Sequence, residues 1–107
     1  MEKLQTNKLF ERIRAFEWDD NKRRSNVIKH GIDFGDAIEA FYDPVAYTFL
    51  SPHPTGERRY VTVGLMRGAL VAVIFTPRDE TIRIISARAA RRSERQMYGA
   101  ETETKEQ

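Results

Sequence analysis

Hydrophobic positions change their spacing several times along the chain, and each change marks an element. Residues 1–12 are weakly patterned and predict only a lead-in. In Arg14–Trp18, Phe16 and Trp18 fall on one face of a short strand. Asp19 then supplies an N-cap oxygen, Asp20 a first-turn acid and Gly31 a left-handed stop after Lys29 and His30, which predicts a basic helix over Asp19–His30 with Val27 and Ile28 as its chief apolar residues. Asp33 caps a second helix. Its apolar stripe, Phe34, Ala37, Ile38 and Phe41, follows the i, i+3, i+4, i+7 spacing, and Pro44 ends it.

Beyond Pro44 the period becomes that of strands. Val45–Leu50 is followed by the polar turn Ser51–Gly56, and Arg59–Met66 and Ala69–Thr76 predict a hairpin around Arg67-Gly68. Ala69–Phe75 is apolar throughout after Gly68, which predicts a central strand buried on both faces. Pro77–Glu80 turns into a strand over Thr81–Ala87, and a last helix is expected from about Ala90 to Ala100. The predicted fold is α+β: an antiparallel sheet with two N-terminal helices and one C-terminal helix, the helices on one side. Residues 13–100 are expected to form a single domain, and 101–107 an acidic flexible tail.

Composition narrows the function classes. The 107 residues suit one domain, and a mean hydropathy of −0.60 suits a soluble one. No stretch approaches the ~20 apolar residues of a membrane span, and the first residues lack the apolar run of a signal peptide, so a cytoplasmic protein without membrane contact is expected. The absence of cysteine excludes disulfides, a thiolate nucleophile and cysteine-based metal sites. His30 and His53 stand apart from one another with no carboxylate at ligand spacing, so no metal or other cofactor is expected. The net charge is +2, but the tail 101–107 carries −2 of its own, so residues 1–100 carry +4.

Arginine dominates that charge. Arg83, Arg88, Arg91, Arg92 and Arg95 crowd the junction between the last strand and the last helix, with no lysine among them. A guanidinium stays protonated and presents a planar fork of donors that fits a phosphate bidentately. The inferred partner is RNA. On the expected helix, Arg88, Arg91 or Arg92, and Arg95 would form one basic stripe, either positioning phosphates or simply solvated and paired with acids. Arg83 and Arg88 project from opposite faces if the strand is regular. Other groups also have two readings. His30 is either an acid–base group near neutral pH or a histidine capping its helix; Glu57 is either a base or the partner of a nearby arginine. Lys22 and Lys29 add positive surface to the first helix.

Taken together, Phe16-Glu17-Trp18-Asp19 with Lys22, Asn26, Lys29-His30-Gly31-Ile32, Phe34, Ala37, Asp43-Pro44, Glu57, Arg59-Tyr60, Gly64, Arg83-Ile84-Ile85-Ser86-Ala87-Arg88, Ala90, Glu94 and Tyr98 resemble the BrnT family of toxins from bacterial type II toxin–antitoxin systems. The resemblance spans about Phe16 to Tyr98. It implies a RelE-like fold, a metal-independent endoribonuclease that inhibits translation, and a BrnA-like antitoxin that holds the toxin inactive in a hetero-oligomer and alone contacts operator DNA. On the family-like positions, Arg59, Arg83 and Arg88 are candidates for charge stabilisation, Glu57 or His30 for the base, and Tyr98 or His30 for the acid. Lys22, Lys29, Arg91, Arg92 and Arg95 are candidates for RNA binding. Phe10, Tyr42 and Tyr47 are possible antitoxin contacts. The alternatives are a non-catalytic nucleic-acid or protein interaction module using the same arginines, and a toxin-like relative without activity. The nuclease expectation requires the arginines to converge with the Glu57–Tyr60 segment around one scissile linkage.

Overall fold

The computed structural model describes residues 3–6 and 12–99. The elements in chain order are β1 (Leu4–Gln5), β2 (Ala15–Trp18), α1 (Asp20–His30), α2 (Phe34–Ala37) running into a 3-10 turn (Ile38–Tyr42), β3 (Tyr47–Pro52), β4 (Arg58–Met66), β5 (Ala69–Arg78), β6 (Thr81–Ala89) and α3 (Arg92–Met97). One six-stranded sheet runs β1-β3-β4-β5-β6-β2. The β3–β6 meander is antiparallel, and β5 is buried at its centre as its apolar run requires. β2, however, lies parallel to β6, with Glu17 opposite Arg83 and Trp18 opposite Ile84. The sheet is therefore mixed, not purely antiparallel. Within the segment read as a lead-in, Leu4 and Gln5 pair with Thr48 and Tyr47, and the hydroxyl of fully buried Thr6 joins those of Thr48 and Thr62 in a hydrogen-bonded ladder. Residues 1–2 and 7–11 of the lead-in, and the tail, lie outside the described residues.

Both predicted helix caps operate at α1. The Asp19 carboxylate accepts from the Asn21 and Lys22 N–H groups, and Gly31 adopts φ +70° while its N–H returns to the Val27 carbonyl. The second helix is shorter than its stripe suggested, since only four residues are α-helical before the chain tightens into the 3-10 turn. That tightening brings the Ala40 carbonyl against Gly64 of β4, where a Cβ would stand 2.5 Å from the oxygen. The packing admits only glycine there.

Two cores form on the two faces of the sheet. Val71, Val73, Phe75, Ile82, Ile84 and Ala87 face Ile32, Phe34, Ala37 and Phe41, with Phe41 edge-on to Phe75 at 5.1 Å. On the other face Tyr47, Phe49, Val61, Val63 and Ala72 pack with Ala90, Met97 and Tyr98. The helices therefore occupy both faces, not one, and α3 covers the second. Tyr47, a possible antitoxin contact on sequence grounds, is buried there, and its hydroxyl donates to the Glu94 carbonyl at 2.7 Å. Tyr42 is exposed; Phe10 lies outside the described residues.

The last strand carries a departure with consequences for function. Ile74 pairs with Ser86 and Phe75 with Ile84, so Ile85 is an extra, unpaired residue, a β-bulge. Ile82 and Ile84 belong to the first core before the bulge and Ala87 after it. The alternation is reset by one, and Arg83 and Arg88 both emerge on the second face, opposite Thr76 and Ala72. A regular strand would have sent them to opposite sides. Because β6 continues to Ala89, Arg88 belongs to the strand, and the expected helical stripe of Arg88, Arg91 or Arg92, and Arg95 is broken. Pairing of Ala89 with Val71 and the bond from the Ala90 N–H to the Leu70 carbonyl hold the chain extended there.

Candidate functional site

β2 covers the outer edge of β6 only as far as Ile84. Beyond it the edge is taken over by a side chain. Buried Asn26 of α1 donates through Nδ2 to the Ala87 carbonyl (2.9 Å) and accepts the Ala87 N–H at Oδ1 (3.1 Å). The same amide donates to the Ile32 carbonyl and receives the Ser86 hydroxyl, so every polar atom of Asn26 is used. Periodicity gave no hint of this role. An asparagine in a polar helix looks like any solvated residue.

This lateral docking of α1 leaves a cleft of about 240 Å³ lined by Lys22, Ser25, Asn26, Lys29 and His30 from the helix and by Ile85 and Ser86 from the bulge. Three candidate residues, Lys22, Lys29 and His30, are thereby brought together. Among the described residues none of these three side chains has an ion-pair or hydrogen-bond partner. Arg83 and Arg88 bracket Ile85 and Ser86 along β6 and share one sheet face. The cleft thus gathers positive charge that no carboxylate of its own lining offsets.

Arg59, Arg83 and Arg88, in contrast, are each held by a carboxylate. Arg83 Nη1 meets Glu17 at 2.8 Å across the parallel pair. Arg59 meets Glu57 at 3.2 Å on β4; one step beyond the Tyr60–Phe75 pair it lies level with Thr76 and Arg83, two strands or about 10 Å from the latter. Glu57 is therefore paired with a neighbouring arginine. Arg88 makes a double bond pattern with Glu94, Nη1 to Oε1 at 2.7 Å and Nη2 to Oε2 at 3.0 Å. Glu94 is only 4% exposed and also accepts the Arg91 N–H at 2.7 Å. Burial by itself would raise the Glu94 pKa, but the hydrogen bonds and charges of Arg88 and Arg91 outweigh it and hold the carboxyl below its ordinary value.

Tyr98 lies elsewhere. Its hydroxyl donates to Asp43 at 2.6 Å, and that carboxylate also accepts the Leu65 and Val45 N–H groups. Leu65 is six residues along β4 from Arg59, about 20 Å of strand. Burial, then the Asp43 bond and charge, push the phenol well above its ordinary pKa. The expected convergence around one linkage is therefore not found: Arg83 and Arg88 stand on either side of the β6 residues that line the cleft, Arg59 lies two strands from them on β4, and Tyr98 fastens α3 to the loop after the 3-10 turn. Arg91, Arg92 and Arg95 are exposed on or beside α3, Arg95 donating to the Ala90 carbonyl. His53 bonds Thr55 within its surface turn. Among the described residues no group of three or more His, Cys, Asp or Glu is placed to hold a metal ion, and no helix is long and apolar enough to cross a membrane.

An α+β domain with a cationic cleft at the edge of its sheet is the class these features define. The chain belongs to the BrnT family: residues 18–94 match the family model described as ribonuclease toxin, BrnT, of type II toxin-antitoxin system. Its structure is similar to the crystal structure of the Brucella abortus ribonuclease toxin, BrnT, with 33% sequence identity, a TM-score of 0.56, and coverage of 73% of this chain and 97% of that one. No curated protein sequence matches the chain.

Proposed function

We propose that this protein is a metal-independent endoribonuclease toxin with a RelE-like fold, cleaving RNA through attack of a ribose 2′-hydroxyl on the adjacent phosphate. The observation that carries the proposal is the α1–β6 cleft, where Lys22, Lys29 and His30 meet with Arg83 and Arg88 at its flanks. Such a reaction needs a base for the 2′-hydroxyl proton, cations around the phosphorane oxygens, and a proton for the departing 5′-oxygen. His30 takes the first role. The ammonium and guanidinium groups stabilise the growing negative charge, and an ammonium of the cleft protonates the leaving oxygen. Products are a 2′,3′-cyclic phosphate and a free 5′-hydroxyl. The family assignment supports a ribonuclease toxin role; on this reading the target is cytoplasmic RNA and the outcome is inhibition of translation. It equally supports an antitoxin partner; on this reading that antitoxin is BrnA-like, joins the toxin in a hetero-oligomer and alone contacts operator DNA.

A second reading has its own support. Arg59, Arg83 and Arg88 each already hold a carboxylate, as expected of an interaction module in which they fix structure or phosphates without chemistry. Incubating the purified protein with an RNA oligonucleotide in excess EDTA separates the two. Cyclic-phosphate ends that disappear with His30→Ala, and with a 2′-O-methyl substrate, establish the enzyme. Salt-sensitive binding of RNA that stays intact establishes the module instead.

A further inference from the structure

We infer that Glu94 is a positioning residue whose work is to hold the Arg88 guanidinium as a rigid fork aimed at a phosphate of the RNA. A guanidinium has five N–H donors in fixed directions. Glu94 occupies the end-on edge, taking one hydrogen from Nη1 and one from Nη2, and the Ala89 carbonyl takes the second hydrogen of Nη1 at 3.3 Å. What remains is Nε–H and the other Nη2–H. These two lie side by side on the one remaining edge, with the spacing of two phosphate oxygens. Neither has an acceptor among the described residues. The pair with Glu94 consequently spends three donors and leaves a complete bidentate edge, so engagement by a carboxylate does not disqualify Arg88.

Glu94 is itself immobilised. Its carboxylate takes the Arg91 N–H, its carbonyl the Tyr47 hydroxyl, and its side chain is only 6% exposed. With two anchors on the backbone of α3 and a buried carboxylate, the guanidinium plane has little freedom left. Arg83 provides a contrast within the same site, since its link to Glu17 is a single bond between side chains that are 34% and 43% exposed. The inference rests on the proposed RNA site, because a fork needs a phosphate to receive.

The test is a double-mutant cycle on the purified toxin, measuring kcat and KM for an RNA oligonucleotide together with urea unfolding. Arg88→Lys keeps the charge and loses the fork; Glu94→Gln keeps the shape and loses the charge that locks it. Glu94→Gln is expected to lower kcat about ten- to hundredfold in the parent, the cost of a misplaced charged group, with little change in KM. In the Arg88→Lys background it should cost almost nothing more. Equal losses in both backgrounds would show that Glu94 acts on stability alone and overturn the inference, while the RNA site stands. Cleavage at the parental rate by Arg88→Lys would remove Arg88 from the site and the inference with it. A measurement on the unmutated protein covers the case in which Glu94→Gln does not fold. In proton–nitrogen spectra the Arg88 Nε–H signal should move on addition of a non-cleavable 2′-deoxy oligonucleotide, and an unmoved signal at saturation refutes the fork.

Discussion

The carboxamide of Asn26 pairs with both the N–H and the carbonyl of Ala87, taking the place of a strand along the edge of β6 where β2 has ended. One side chain thus docks α1 laterally on the sheet and sets the width of the cationic cleft. Removing it takes the partner from three backbone groups, the Ala87 N–H and carbonyl and the Ile32 carbonyl. Asn26→Ala should cost about 2–3 kcal/mol in urea unfolding, and Asn26→Asp at neutral pH a similar amount because a carboxylate cannot donate to the Ala87 and Ile32 carbonyls. A loss under about 0.5 kcal/mol for the alanine variant would contradict the edge-pairing role.

His30 is exposed at the end of α1 and makes no side-chain bond among the described residues. Its replacement by alanine should therefore leave the unfolding midpoint nearly unchanged while lowering RNA cleavage about a hundredfold or more, the usual contribution of a positioned base. Parental cleavage by this variant would remove the histidine from the chemistry.

Phenylalanine at Tyr98 provides the complementary case. The Asp43 carboxylate keeps its bonds from Val45 and Leu65 but loses the phenol, a cost of about 1 kcal/mol in unfolding. Cleavage by Tyr98→Phe measured well below its unfolding range should match the parent, since the hydroxyl is committed to fastening α3. A large fall in kcat there would return Tyr98 to the reaction.

Gly64 is required by packing, not by backbone conformation. A methyl group at this position meets the Ala40 carbonyl at 2.5 Å and the Ala46 side chain at 3.1 Å, and a backbone oxygen cannot swing away. Gly64→Ala should destabilise the protein by about 1–3 kcal/mol, read as a lowered urea midpoint, the range for overfilling a packed contact.

The Glu94 carboxyl titrates below its ordinary value of 4.5 in the folded chain. Its pair with Arg88 therefore adds stability that is fully present above that value and is lost as pH falls through the folded pKa. At pH 7 Glu94→Gln should unfold at lower urea than the parent, and the gap should close on acidification through the carboxylate range. A gap independent of pH would show that the charge contributes nothing.

Much of the scaffold is legible in the sequence because it is local. Asp19 and Gly31 bound α1, Arg67-Gly68 turns the hairpin with φ +50° and +82°, and the unbroken apolar run of β5 marks the centre of the sheet. What stayed hidden is relational. Nothing in the alternation of Phe16 and Trp18 says that β2 will lie parallel to a strand more than sixty residues away. Nothing in Arg83-Ile84-Ile85-Ser86-Ala87-Arg88 says that one isoleucine is unpaired, because an extended apolar run reads the same with or without a bulge. For the site, the choice of Lys22, Lys29 and His30 was available from residue types and family-like positions, and the lateral docking by Asn26 that unites them was not. Glu57 and Tyr98 had plausible chemistry, but their partners, Arg59 and Asp43, are decided by the fold.

Ile85 matters by standing outside the count of the ladder. Ironing the bulge out at unchanged length would shift the register by one and deliver either Arg83 or Arg88 into the layer beneath α1 and α2, whereas a chain without Ile85 would keep every other pairing and both arginines on the second face. Arg83 and Arg88 stand an odd number of residues apart, so at this chain length they share a face only while one residue between them stays outside the ladder.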